Sequence, residues 1–284
     1  MTLQKKLLSN MRISALVCCL LFAMQLHAQS LHTDAFYKDI VLPETQSAMA
    51  KMQVINYAYT DNYDLHWQEL RITILPEDGF ITGVVDAALT ITESTDFIYF
   101  DCSDSLEIMA VSVNGSGVDF EHTANAIYIP LGETFAAGTS ITTSVSYFGF
   151  PTATGLGSFM QGENEAGTLI WTLSQPYGAS DWFPCKQSLS DKLDSVSLQL
   201  KVPQQYQTGA PGLLVNAFTD DEGMTTYTWK HYYPIATYLI GIVVGRLEEY
   251  TFEHPVGDET LLMQKYSPPE ALKNYIEVRE DFTD

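Results

Sequence analysis

Any chemistry done by this chain must come from a short roster of side chains. His32, His66, His122, His231 and His254 are scattered singly. No two share the i, i+4 spacing that puts two imidazoles on one helical face for zinc, and no H-E-x-x-H occurs. Each therefore reads as a structural or surface histidine. No G-x-S-x-G seats a serine nucleophile, and no acid–base pair stands out among 35 carboxylates. The glycines of GSG at 115–117 and GLG at 155–157 lack the strand–loop–helix context of a phosphate loop and read as turns. Of four cysteines, Cys18 and Cys19 lie in the apolar leader. Cys102 falls in an alternating strand and no histidine can be nominated to activate Cys185, so neither reads as a nucleophile. One crowded stretch remains: QPYGASDWFPC, residues 175–185. On residue types alone, Gln175 is most simply an amide that satisfies backbone at a turn.

The elements that must hold this stretch are strands. From Tyr63 the apolar period is two: Leu70, Ile72 and Ile74 alternate with Arg71 and Thr73. The turn PEDG follows, and then Ile81, Val85, Ala87, Leu89 and Ile91 alternate with polar neighbours. Similar pieces recur at 97–101, 107–113 (closed by Asn114-Gly115), 126–131, 140–148, 195–202 and 225–230. Many short strands with turn chemistry between them predict an all-β, antiparallel domain packed as sheets. Residues 234–245, PIATYLIGIVVG, are almost wholly apolar and predict a strand covered on both faces. SPPEALKNYIEVREDFTD predicts a helix with Ser267 as cap, Pro268 in the first position and Glu270 completing a capping box. Its apolar stripe, Ala271, Leu272, Tyr275, Ile276, Val278 and Phe282, meets no stop signal, so the natural polypeptide is expected to continue.

The N-terminus carries Lys5, Lys6 and Arg12 before an apolar run from Ile13 to Leu26, then a small-residue site at Ala28. That order predicts a signal peptide over 1–28, too short for the about 20 residues of a spanning helix, and hence an exported protein, periplasmic or extracellular. A lead-in over 29–56 is expected to hold a short helix at residues 44–52. With 14 basic and 35 acidic residues the formal charge is −21, and loss of the leader makes it more negative. Such a surface excludes nucleic acid and anionic membrane as partners and serves solubility. Export permits a disulfide between Cys102 and Cys185, but their spacing does not decide it.

The stretch 175–185, with Asp191-Lys192 after it, resembles the signature Q/E-P-x-x-A-R-x-x-F-P-C-x-D-x-P-x-x-K in the N-terminal domain of the aminopeptidase N family of zinc metallopeptidases (peptidase family M1). YDLHWQELRITI at 63–74 resembles the family's opening strand, ITGVVDAALTI at 81–91 its second, IYFDCSDSLEIMAVSVNG at 98–115 its next strand pair and YTWKHYYPIATYLIGIVVG at 227–245 its W…PIATYL…G segment. The likeness runs in order over about 60–266. Ser180 stands where the family has Arg, and Gln187 and Leu189 where it has Asp and Pro.

The resemblance implies a β domain over 57–266, saddle-like in architecture, followed from 267 by the first helix of an α-rich catalytic domain absent from this chain. It implies that Gln175, eight residues before Phe183, reaches that neighbour and helps hold the free α-ammonium of a peptide substrate. Trp182, Phe183, Pro184 and Cys185 would then be the buried packing that fixes the turn. It also implies zinc in the parent protein, held by ligands outside this chain, and release of N-terminal residues from peptides. By its own residues the chain is not catalytic. The competing expectation is a free-standing secreted β-sandwich that binds peptide or protein without catalysis.

Overall fold

The structure, a computed structural model, describes residues 60–154, 157–257, 259–269 and 271–272. The expected signal peptide, the lead-in with its helix, and the C-terminal helix beyond Leu272 lie outside them. Strands run in the order β1 (Tyr63–Leu75), β2 (Phe80–Ile91), β3 (Thr95–Asp101), β4 (Leu106–Val113), β5 (Ser116–Val118), β6 (Glu121–Thr123), β7 (Ala126–Phe135) and β8 (Ser140–Gly149). Next come β9 (Met160–Asn164), β10 (Gly167–Trp171), β11 (Ser195–Pro203), β12 (Gln207–Gly209), β13 (Leu213–Thr219) and β14 (Met224–His231). The last are β15 (Val243–Gly245), β16 (Glu248–Val256) and β17 (Glu259–Ser267). The domain is all-β and rich in antiparallel pairs, as its alternating sequence predicts.

Eight strands form the main sheet in the order β13-β14-β11-β1-β2-β8-β4-β5. Every pairing in it is antiparallel except β1 with β11, where Leu70 lies beside Leu198 and Ile72 beside Leu200. Three smaller sheets accompany it: β12-β15-β10-β9, β3-β7-β6 and the hairpin β16-β17. The strict alternation of β2 puts Ile81, Val85, Ala87, Leu89 and Ile91 inward and leaves Thr82, Asp86 and Thr90 on the wetter face. Asn114 (φ 50°) and Gly115 (φ 78°) take the two left-handed positions that a tight β4–β5 hairpin demands, which explains the Asn-Gly pair there.

Inward residues of the main sheet meet those of β3, β7 and the 175–185 segment in one core, whose largest fully buried side chains include Trp182, Trp229, Tyr63, Tyr147, Tyr206, Phe100 and Phe183. Each such aliphatic or aromatic side chain contributes about 1.5–3 kcal/mol by leaving water. The core thereby roots the signature stretch in the body of the domain.

Residues 234–245 differ from the single strand expected of them. Ile235 makes an isolated bridge to Leu193, Thr237–Leu239 is a 3-10 turn, and only Val243–Gly245 is a strand. Ile235, Ile240, Ile242 and Val244 are buried, whereas Leu239 is 56% exposed. Burial supplied the apolar composition, and the irregular path, not a ladder, is what is buried. At the other end, Ala271 and Leu272 donate backbone N–H groups to the Pro268 carbonyl at 3.1 and 3.0 Å, the first turn of the helix that Ser267 and Pro268 predict.

Candidate substrate-anchoring site

Beyond β10 the chain stays extended beside Gly241 and Ile242. Thr172 donates its N–H to the Ile242 carbonyl (3.0 Å), and the Ile242 N–H returns to Thr172 Oγ1 (2.8 Å). Extension enforces alternation: Trp171, Leu173 and Gln175 face out, and Ser174 is buried. Gln175 is exposed, and no hydrogen bond ties its side chain to any described residue. The Gln175–Pro176 peptide is cis.

The turn that follows is closed tightly. Gly178 donates its N–H to the Ser174 carbonyl at 2.6 Å, and Trp182 Nε1 donates to Ser174 Oγ at 3.1 Å. A 3-10 turn, Ala179–Asp181, is wholly buried. The Asp181 carboxylate accepts from the hydroxyls of Thr154 and Ser158, so the neighbouring loop is tied to the signature.

Trp182 and Phe183 are both 0% exposed and meet edge to face with centroids 4.4 Å apart. Tyr147 donates its hydroxyl to the Trp182 carbonyl (3.1 Å), and Cys185 exchanges both backbone hydrogen bonds with Asp101 at the end of β3. Trp182, Phe183, Pro184 and Cys185 are thus the buried packing that their crowding predicts.

Cys102 and Cys185 are buried and are not joined in a disulfide. Burial pushes the Cys102 thiol well above the ordinary range, which leaves no thiolate for nucleophilic work. His122 lies with Nε2 3.1 Å from the Cys102 carbonyl, and His66 lies between Thr90, Asp194 and Asp64. Both are occupied locally, as lone histidines usually are. Among the described residues no group of three or more His, Cys, Asp or Glu could hold a metal ion. The zinc implied by the resemblance therefore has no ligand set in them.

Two of the three departures from the signature meet each other: Gln187 Nε2 donates to Ser180 Oγ at 2.8 Å. Where the family pattern carries Arg and Asp, this chain carries a neutral hydrogen bond at the same two positions. Ser180 also accepts the Ser103 N–H on its carbonyl (2.8 Å), and the Gln187 N–H reaches Asp101 Oδ2 (2.9 Å). Both residues hold the signature to the loop after β3.

The sequence did not reveal the lysine that is buried. Lys192, at the signature's lysine position, is exposed. Lys186 is buried, 2.5 Å from Asp191 Oδ2 and from the Tyr63 carbonyl, and 4.5 Å above the Tyr63 ring. Burial raises the Asp191 carboxyl, with the Lys186 ammonium opposing that shift. Ser174, Gly178 and Asp181 were missed as supports, because small and polar residues in a turn carry no period. The one available hint was their place inside a signature whose aromatic residues were plainly core.

The profile of the peptidase M1 N-terminal domain matches residues 59–239. The chain belongs to that family. Similar solved structures of M1 zinc metallopeptidases agree. A mutant from Deinococcus radiodurans bound to a Tyr-Ser-Ala substrate is 25% identical, with a TM-score of 0.64 over 72% of this chain and 47% of that one. A second structure of a Deinococcus radiodurans mutant gives 26%, 0.65, 72% and 48%. A two-domain M1 zinc metallopeptidase mutant bound to L-arginine gives 26%, 0.64, 72% and 48%. This M1 N-terminal domain, with its flanking residues, thus spans about half the length of those solved relatives. A search of curated proteins found no match.

Proposed function

We propose that this chain is the substrate-anchoring N-terminal β domain of an exported zinc aminopeptidase, and that Gln175 is its anchor. In the complete protein the Gln175 amide oxygen accepts a hydrogen bond from the free α-ammonium of a peptide. A second domain of the same polypeptide holds the zinc and carries out hydrolysis at the N-terminal residue. The observation that supports this reading best is the contrast within one turn: Gln175 is exposed and its side chain makes no hydrogen bond among the described residues, while the residues that follow it are largely buried and fixed. An exposed acceptor carried on a fixed backbone is open to a charged partner, and a hydrogen bond to a charged group contributes about 1.5–3 kcal/mol. The relatives bound to a tripeptide or an amino acid make a ligand with a free amino terminus the natural candidate. Among the described residues no helix is long and apolar enough to cross a membrane.

The test is steady-state kinetics of the full polypeptide with an aminoacyl p-nitroanilide. Gln175→Ala is expected to raise KM about tenfold or more, the loss of about 1.5 kcal/mol or more of binding, and to change kcat less. Unchanged KM and kcat would remove Gln175 from substrate binding.

A further inference from the structure

We propose that Ser174 is the positioning residue for the anchor, acting through Gln175 and not on substrate itself; this rests on the reading of Gln175 above. Ser174 is 3% exposed between an exposed Leu173 and an exposed Gln175, so it is the inward-facing residue next to the proposed anchor. Both its hydrogen-bonding oxygens are committed. Its carbonyl takes the Gly178 N–H at 2.6 Å, which closes the turn around Gln175, and its hydroxyl takes Trp182 Nε1 at 3.1 Å.

An indole N–H can only donate, so a fully buried Trp182 needs an acceptor at that place. Trp182 cannot shift to suit, because its ring is wedged against Phe183 and its carbonyl holds the Tyr147 hydroxyl. The bond therefore fixes Ser174 to the core, and Ser174 delivers the backbone of Gln175. A displacement of about 1 Å at a positioned group can cost on the order of a hundredfold in rate or binding. One buried hydroxyl thus sets how the amide is presented.

The experiment measures KM, kcat and thermal midpoint of the full polypeptide with the same p-nitroanilide for Gln175→Ala, Ser174→Ala and Trp182→Phe, and for each of the last two combined with Gln175→Ala. All assays are run well below the lowest midpoint. Ser174→Ala and Trp182→Phe delete the same hydrogen bond from its two ends, so one survives as a test if the other folds poorly. Each is expected to raise KM about three- to tenfold with kcat within about twofold, a partial loss of the contact that Gln175→Ala removes outright. Combined with Gln175→Ala, each is expected to leave KM where Gln175→Ala alone puts it, since the anchor can be lost only once. A wild-type KM in Ser174→Ala and Trp182→Phe beside a raised KM in Gln175→Ala overturns the role of Ser174 and leaves the anchor standing. Additive effects in the combinations also overturn it, by showing that Ser174 acts elsewhere. A Gln175→Ala enzyme with unchanged KM overturns the anchor and this inference together.

Discussion

At the scale of single residues, Gly178 holds the tightest place in the turn. A Cβ there would sit 2.6 Å from Ser158 Cβ, 3.0 Å from Ser174 Cα and 3.1 Å from the Ser174 carbonyl oxygen. Its φ of −93° suits any residue, so the requirement for glycine is steric and not conformational. Gly178→Ala is expected to cost about 1–3 kcal/mol in urea unfolding, the range of overpacking a closed site; an unchanged midpoint would show that the turn yields easily. The residues of this site were unequally legible. Trp182, Phe183 and Cys185 announce burial by type, and Gln175 was marked by its register with Phe183. Ser174 and Asp181 act through polar contacts made only once the chain has folded back, and Lys186 is buried only because Asp191 and the Tyr63 carbonyl meet it there.

At the scale of elements, the turn between β1 and β2 is clasped by the four-stranded sheet. Gln161 Nε2 donates to the Pro76 carbonyl (2.9 Å), Thr168 Oγ1 donates to Glu77 Oε2 (3.0 Å), and the Tyr206 hydroxyl donates to Glu77 Oε1. The Tyr206 and Thr168 hydroxyls favour the ionised carboxylate and hold Glu77 below the usual range. A lowered folded-state pKa gives stability that is present above the unfolded value of about 4.3 and is lost as pH falls through the folded value. The wild-type thermal midpoint should therefore fall more steeply below about pH 4.3 than that of Glu77→Gln, which should already be less stable at neutral pH. Parallel profiles would show that Glu77 does not couple the two sheets. Strand existence was readable from the period of two. The breakup of 234–245 was not, since apolar runs report burial and not backbone path.

At the scale of the whole molecule, the family assignment and the length comparison converge: the chain holds a β domain and spans about half of its solved relatives. If it is the anchoring half of a peptidase, the coding sequence is expected to run in frame past codon 284 into an H-E-x-x-H helix. Sequencing the gene downstream checks this, and a stop codon at that point would favour a free-standing binding module. The fold class was legible because each strand carries its own alternation. The parallel pairing of β1 with β11 was not, because nothing local in either strand selects a partner from the other end of the domain.

That pairing sets a timetable for synthesis. Trp67 waits for Ser195 and Thr73 for Lys201, so while β1 finds β2 at once on one flank, its other flank stays open until more than a hundred further residues have emerged. Loop closure over such a distance is slow. A nascent chain in this interval presents an unsatisfied ladder edge to any chaperone or secretion factor that can hold it, and cannot complete its central sheet before the signature turn has already been made.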